Sequence, residues 1–312
     1  MRPCPGSANH LADVRNRGEQ NVRNLLAVVH GSHDGRVTVF PQTQRTCRPH
    51  WSLARTWLLQ PGRPGFDTTL SDAADVVVLD VEDGLPDAEK PAGRRAVGQW
   101  LRDGGNAWAR INAAGTSDWD ADLEVVGPAP GLAGVMLAKT ESGTDIAATS
   151  SRLPAGTPIV ALVESALGVE AALEIARACS RIAFGLGDFR RDTGMSGDPM
   201  VLAYPRARLV IASRAAGLPA PIDGPTLRDD VHHLARDTEV AKAAGMTARL
   251  CLDAGHAEEI NTLLSPSALE IDAARRTLAS LDAPTGAYDG SVGPKRARAQ
   301  AVLDLAVKLG VA

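Results

Sequence analysis

The sequence is short of the features that announce most function classes. It has four cysteines in 312 residues, Cys4, Cys47, Cys179 and Cys251, and none falls in a CxxC or Cys/His spacing. That excludes a zinc finger or a disulfide scaffold, and a chain of this size needs no covalent staples. Cys179 and Cys251 lie in apolar surroundings and are expected to be reduced core thiols. No apolar run approaches a membrane span, and the first residues lack the apolar core of a secretory signal. The cytoplasm is therefore the expected location, and no membrane partner is expected. A net charge of −4 and a pI near 6.0 offer no basic surface for nucleic acid. No G-x-G-x-x-G follows the first strand-like run, which argues against a dinucleotide-binding open sheet.

What is present is a hydrophobic content of 44%, enough for a sizeable core. Residues 1–52 are rich in Arg, Asn, His, Gly and Gln and read as a flexible extension, or as an over-long start to the reading frame. From Thr56 a β–α alternation sets in. Short apolar runs compatible with buried parallel strands occur at 56–60, 75–81, 107–111, 133–138, 158–163, 181–186, 220–223 and 247–252. Helical stretches separate most of them, including Ala88–Leu101, Gly168–Ala178, Tyr204–Ala216 and Leu227–Ala244. Each unit takes roughly 25 residues, as βαβ units do. Eight such units close into a TIM (β/α)8 barrel of about 200 to 250 residues. The barrel is expected over 53–260. A helical tail over 261–312, with helices at 266–281 and 294–309, caps it or reaches a neighbouring subunit.

Run after run ends in a charge. Val76–Leu79 leads into Asp80, Glu82 and Asp83; Trp108–Ala109 into Arg110; Ile159–Val163 into Glu164; Ile182–Leu186, across Gly187, to Asp188. An unpaired buried charge costs several kcal/mol, so a buried strand does not ordinarily finish in an acid. In a parallel barrel these residues converge on the carboxyl mouth, where such barrels carry their chemistry. Glu164 and Asp188 either share a hard divalent cation or cap the helices that follow them. In the DVEDG segment, strand alternation puts Asp80 and Glu82 on one face and Asp83 on the other. The cluster either orients metal-bound water or pairs with an arginine, or it is a solvated loop. Arg110 forks onto a substrate carboxylate or onto Glu82 and Asp83. Lys139 is a Schiff-base lysine, an anion contact or an ion-pair partner of Glu141. The glycines of FGLGDF allow close backbone approach to a ligand. His232 and His233 read as surface residues of an outer helix, and His256 follows the last strand.

Taken together, these segments resemble the citrate lyase beta-subunit-like proteins of the HpcH/HpaI aldolase family. The pieces are RTWLLQPGRP (55–64), VVVLDVEDGLPDAEK (76–90), ARINAAGT (109–116), VMLAKTES (135–142), VALVESALG (160–168), RIAFGLGDF (181–189), YPRARLVIASRAAGLPAPIDGP (204–225) and AYDGS (287–291). The resemblance implies a TIM barrel that binds Mg²⁺. It implies cleavage or formation of a carbon–carbon bond between a 2-oxo or 3-hydroxy acid unit and an acyl-CoA-derived enolate. It implies Glu164 and Asp188 as metal ligands, and Arg110 as the grip on the substrate carboxylate. Glu82 and Asp83 become the acidic pair beside the metal water, and Arg55 a substrate or phosphate contact. By resemblance the protein is a homo-oligomer, a trimer. The pattern is broken in three places. Ala138 stands before Lys139 where proline is common, and Cys251–Leu252–Asp253–Ala254 replaces the usual segment with His-Pro. Gly293 stands where thioester lyases often carry a tail aspartate. Two alternatives follow: a relative that binds Mg²⁺ and a 2-oxo acid or CoA without turnover, or an aldolase of free 2-oxo acids.

Overall fold

The computed structural model describes residues 48–66, 72–227, 231–282 and 290–312. Eight parallel strands close into a barrel in sequence order, first pairing with last. In chain order come β1 (Thr56–Pro61), β2 (Val76–Asp80), α1 (Lys90–Arg102), β3 (Ala107–Ile111), α2 (Ser117–Val125) and β4 (Leu132–Leu137). Then follow α3 (Gly143–Ser150), β5 (Ile159–Val163), α4 (Ala166–Glu170), α5 (Ala172–Ala178), β6 (Arg181–Phe184) and α6 (Leu186–Thr193). The circuit ends with α7 (Ala203–Ala215), β7 (Ile222–Asp223), α8 (Val231–Ala244), β8 (Ala248–Cys251) and α9 (Ala257–Leu263). The expected TIM barrel is the fold, and all eight strands lie within two residues of the expected runs. The helix expected over Gly168–Ala178 is instead two, α4 and α5. They meet at Ala171, whose N–H is shared by the carbonyls of Leu167 and Val169.

The strands are apolar on both faces because both are covered. Val77, Leu79, Ala109, Ile111, Ala161, Val163, Ile182 and Phe184 point outward into the shell beneath the helices. Their alternates Val76, Val78, Trp108, Met136, Val160, Leu162 and Ala183 fill the barrel. Side chains alternate strictly along a strand, so each interior column has one defined next member at the mouth. Val76–Val78 leads to Asp80, Trp108 to Arg110, Val160–Leu162 to Glu164, and Ala183 to Gly185.

The barrel floor is aromatic and pinned. Trp57 meets Trp108 edge-on with ring centroids 4.8 Å apart, and Trp51 meets Trp108 at 5.9 Å. Each such pair contributes about 0.5–1.5 kcal/mol beyond its area. Arg181, fully buried, donates to the carbonyls of Trp51, Ala54 and Ala220 and to Thr247 Oγ1. Trp51, placed in the extension by its sequence, therefore belongs to the floor. The rest of that expectation, residues 1–47 with Cys4 and Cys47, lies outside the described residues. So do 67–71, 228–230 and 283–289, with most of AYDGS and residues 228–230 of the helix expected from Leu227, which itself is not helical.

The C-terminal extension is α10 (Ala268–Asp282) and α11 (Val292–Leu309), which pack on each other. The expected boundary at 260/261 cuts α9, because Asn261 belongs to the barrel: its carbonyl and side chain bind Arg55 and Thr56. Cys179 and Cys251 are free thiols, with pKa values pushed up by burial to about 12 and about 11. Among the described residues no helix is long and apolar enough to cross a membrane.

Candidate active site

At the mouth, the interior columns of β2, β3 and β5 deliver Asp80, Arg110 and Glu164 to one polar cluster. Asp80 and Arg110 are register partners across β2 and β3. Arg110 Nε donates to Asp80 Oδ1 at 2.8 Å and Nη2 to Oδ2 at 2.5 Å, a bidentate fork. Its Nη1 stands 3.2 Å from Glu82 Oε2, an ion pair that lacks the alignment of a hydrogen bond. Burial works against the Arg110 charge, but Asp80, Glu82 and Glu164 outweigh it and raise its pKa. Gly84 follows from this packing: a Cβ there would stand 2.3 Å from Asp80 Oδ2.

Lys139 links the two halves of the site. Among the described residues it is the only non-glycine with positive φ, at 49°, a conformation that costs free energy and clusters at functional sites. That turn aims its backbone N–H at Glu164 Oε1, 2.8 Å away. Its ammonium reaches back to Glu82 Oε1 at 2.5 Å and Asp83 Oδ2 at 3.2 Å. The expected pairing with Glu141 does not form; Glu141 accepts instead from Ser165 Oγ. The expected split of Glu82 and Asp83 onto opposite faces also fails. The strand stops at Asp80, so alternation no longer governs residues 82 and 83, and both carboxylates meet the same ammonium.

Glu164 is buried, and its pKa is pushed up to about 8. Burial is the largest cause, and the charges of Glu82 and Asp188 add to it against the Lys139 N–H and Arg110. Glu82 is raised too, again chiefly by burial, despite Arg110 and Lys139. For Asp83, burial is outweighed by Lys139 and the Glu82 contact, so its pKa is lowered. Asp188 sits in the first turn of α6 with Arg191 Nη1 3.0 Å from its Oδ1. Neither Glu164 nor Asp188 makes a capping bond. Ser165 caps α4, and the start of α6 has no side-chain cap. Gly185 lies against Glu164, and a Cβ there would stand 2.3 Å from Glu164 Oε2.

Arg55 is not at this mouth. It precedes β1, at the amino end of the barrel, and chelates Asp75 through Nε at 2.8 Å and Nη2 at 3.0 Å, with Ser265 Oγ on Nη1. At 4% exposure its donors are engaged in the fold. The substrate or phosphate role read from the sequence is corrected to a structural one. His256 lies in a short turn after β8, and His233 lies on α8. Asp80, left by its sequence between metal water and an arginine partner, is the anchor of Arg110. One residue escaped the sequence reading. Asn112 holds the Val81 carbonyl at 3.1 Å, fixing the turn that carries Glu82; it also binds Asp122 and Lys90.

Among the described residues no three His, Cys, Asp or Glu side chains group closely enough to hold an ion by themselves. A pair of carboxylates leaving the other positions to water and substrate is nonetheless the donor set that Mg²⁺ favours. The Glu164–Asp188 pair has that chemistry. Five carboxylates, Asp80, Glu82, Asp83, Glu164 and Asp188, meet three cations, Arg110, Lys139 and Arg191, leaving two negative charges uncompensated.

A closed parallel barrel with this polar cluster at its carboxyl mouth defines a (β/α)8 protein whose charged residues gather where such barrels carry their chemistry. The sequence profile of the HpcH/HpaI aldolase/citrate lyase family matches residues 66–254. The chain belongs to that family. It is 32% identical over 245 residues to the citrate lyase subunit beta-like protein of Mycobacterium tuberculosis H37Rv, covering 74% of this chain and 86% of that one. It is 29% identical over 226 residues to a (3S)-malyl-CoA thioesterase of Cereibacter sphaeroides, covering 67% and 76%. The structure of Mycobacterium tuberculosis CitE in complex with magnesium, acetoacetate and coenzyme A superposes with a TM-score of 0.70. That pair shares 30% identity and covers 82% of this chain and 99% of that one.

Proposed function

We propose that this protein is a Mg²⁺-dependent carbon–carbon lyase or aldolase. Its substrate would be a 2-oxo or 3-hydroxy acid unit carried as a CoA thioester, for example oxaloacetate with an acyl-CoA. The observation that carries the reading is the surplus of negative charge around Glu164 and Asp188, with Glu164 pushed up to about 8. An Mg²⁺ ion held by these two residues would supply Lewis-acid polarisation of the substrate carbonyl and countercharge for the developing enolate.

The remaining work falls to the chain. Asp80 fixes Arg110 through Nε and Nη2, so that Nη1, which faces Glu82, is the corner that would meet the substrate carboxylate. Lys139 holds Glu82 and Asp83 together and would lend its own charge to the anion. Glu82, whose pKa is raised by burial, is the group suited to take or return a proton. The aldolase and thioesterase relatives divide at the bond broken. Lyase turnover splits the carbon skeleton, whereas hydrolysis releases free CoA and an intact acid.

Replacing Glu164 by alanine should abolish Mg²⁺ binding and turnover; unchanged Mg²⁺ affinity rejects the assignment. Screening oxaloacetate and pyruvate with and without CoA esters, and identifying products, separates thioester lyase, thioester hydrolase and free 2-oxo acid aldolase. A second reading, binding without turnover, is favoured by Gly293. It lies in the first turn of α11 with no atom within 4 Å of a Cβ position, and it leaves the tail without a carboxylate there. Activity gained by Gly293→Asp supports that reading. The proposal includes a homo-oligomer, a trimer, with α10 and α11 against the neighbouring subunit; light scattering tests it.

A further inference from the structure

The cations of the mouth are not equally committed. Arg110 is forked onto Asp80 and faces Glu82, and its side chain is only 12% exposed. Lys139 bridges Glu82 and Asp83. The two carboxylates assigned to the ion, Glu164 and Asp188, are touched by neither side chain. Among the described residues Glu164 accepts only the Lys139 N–H, and Asp188 is ion-paired only with Arg191. Among the described residues Arg191 is thus the sole cation ion-paired with either one. It is also the loosest: its side chain is 71% exposed, and its guanidinium has no other partner among those residues.

The pair is built within one helix. Asp188 lies in the first turn of α6 and Arg191 in its last turn, at i and i+3. Such neighbours meet without moving the backbone and separate as easily. The Asp188 oxygen that Arg191 faces, Oδ1, is one of the two through which that carboxylate can bind an ion. The guanidinium and a divalent ion therefore compete for the same negative charge.

Resting on the Mg²⁺ reading above, we propose that Arg191 is a displaceable place-holder on Asp188. It neutralises the carboxylate while no ion is bound and swings into solvent when Mg²⁺ arrives, so that it sets how tightly the site holds the metal. Nothing buried has to rearrange, because Arg191 anchors nothing else. An exposed ion pair of this kind stabilises its own closed form modestly, so its removal should tighten Mg²⁺ binding about two- to five-fold.

The test is calorimetric titration of the full chain with Mg²⁺ alone at pH 8, in about 50 mM and about 500 mM KCl, where screening lengths differ severalfold. Wild type is compared with Arg191→Gln and Arg191→Lys, each checked for an unchanged melting transition. Arg191→Gln should bind two- to five-fold tighter at low salt, the advantage shrinking toward none at high salt. Arg191→Lys, which restores a cation, should stay near wild type. Equal or weaker binding by Arg191→Gln at low salt overturns the place-holder, as does a gain that salt leaves unchanged. A wild-type protein that binds no Mg²⁺ overturns the metal reading itself. Wild-type binding with an indifferent Arg191→Gln overturns only this inference.

Discussion

Mg²⁺ affinity should depend steeply on pH, and Glu164 sets the slope. Its pKa is held at about 8 by burial, with Glu82 and Asp188 adding to the effect. A carboxylate must be ionised to ligate a metal, so below that pH the ion has to displace a proton. At pH 6, two units lower, about one molecule in a hundred carries the ionised form, and apparent affinity should be roughly a hundredfold weaker than above pH 8. The same group governs stability. The folded protein keeps a proton that the unfolded chain, at the ordinary glutamate value of 4.5, has released. That stabilisation is fully present below 4.5 and is lost as pH rises to about 8, at up to ~1.4 kcal/mol per pH unit. Calorimetric titration from pH 6 to 8.5 measures the first effect, and metal-free melting curves over pH 4.5 to 8.5 the second. Glu164→Gln should flatten the melting profile and leave Mg²⁺ binding weak at every pH. An Mg²⁺ affinity constant within twofold across the range would refute the argument.

Three further outcomes follow from single contacts. Gly185→Ala places a methyl 2.3 Å from Glu164 Oε2; it should abolish Mg²⁺ binding while costing the fold about 1–3 kcal/mol, read by calorimetry and urea unfolding. Asp80→Asn removes the carboxylate that holds Arg110 and should weaken oxaloacetate binding roughly ten- to a hundredfold, since hydrogen bonds between charged groups contribute about 1.5–3 kcal/mol. Asp75→Ala strands the buried Arg55 at the far end of the barrel. It should cost about 3–5 kcal/mol in urea unfolding and leave Mg²⁺ affinity unchanged, because the break is structural.

How much was legible in the sequence depended on whether a residue lay within a strand. Asp80, Arg110 and Glu164 end interior columns, and a period of two carries the reading through to them. Past the last strand residue that rule has no force. Alternation stops before Glu82 and Asp83 and so cannot place them, and of the readings open for Lys139 the sequence could not choose, because its left-handed turn leaves no mark in LAKTES. Asp188 follows an apolar run in the sequence but sits in the first turn of a helix, since the chain turns at Gly185. Arg55 was misplaced for a different reason: it precedes its strand, and in a parallel barrel that puts it at the amino end, opposite the chemistry. Order along the chain contained that information, and the resemblance obscured it.

The charge arrangement explains why these pieces must act together. Closing the barrel gathers five carboxylates at one mouth, and Arg110 and Lys139 by themselves leave three negative charges uncompensated. The metal-free protein has two ways to lower that cost. A proton on Glu164 removes one charge from the buried side, which is what a pKa near 8 expresses. The other is Arg191, which covers Asp188 from solvent and is loosely held because it has no buried anchor. A divalent ion replaces both devices with the charge the rim lacks, releasing a proton inside and a guanidinium outside. The proton makes affinity depend on pH and the guanidinium makes it depend on salt. The two dependences are separable because they belong to different carboxylates.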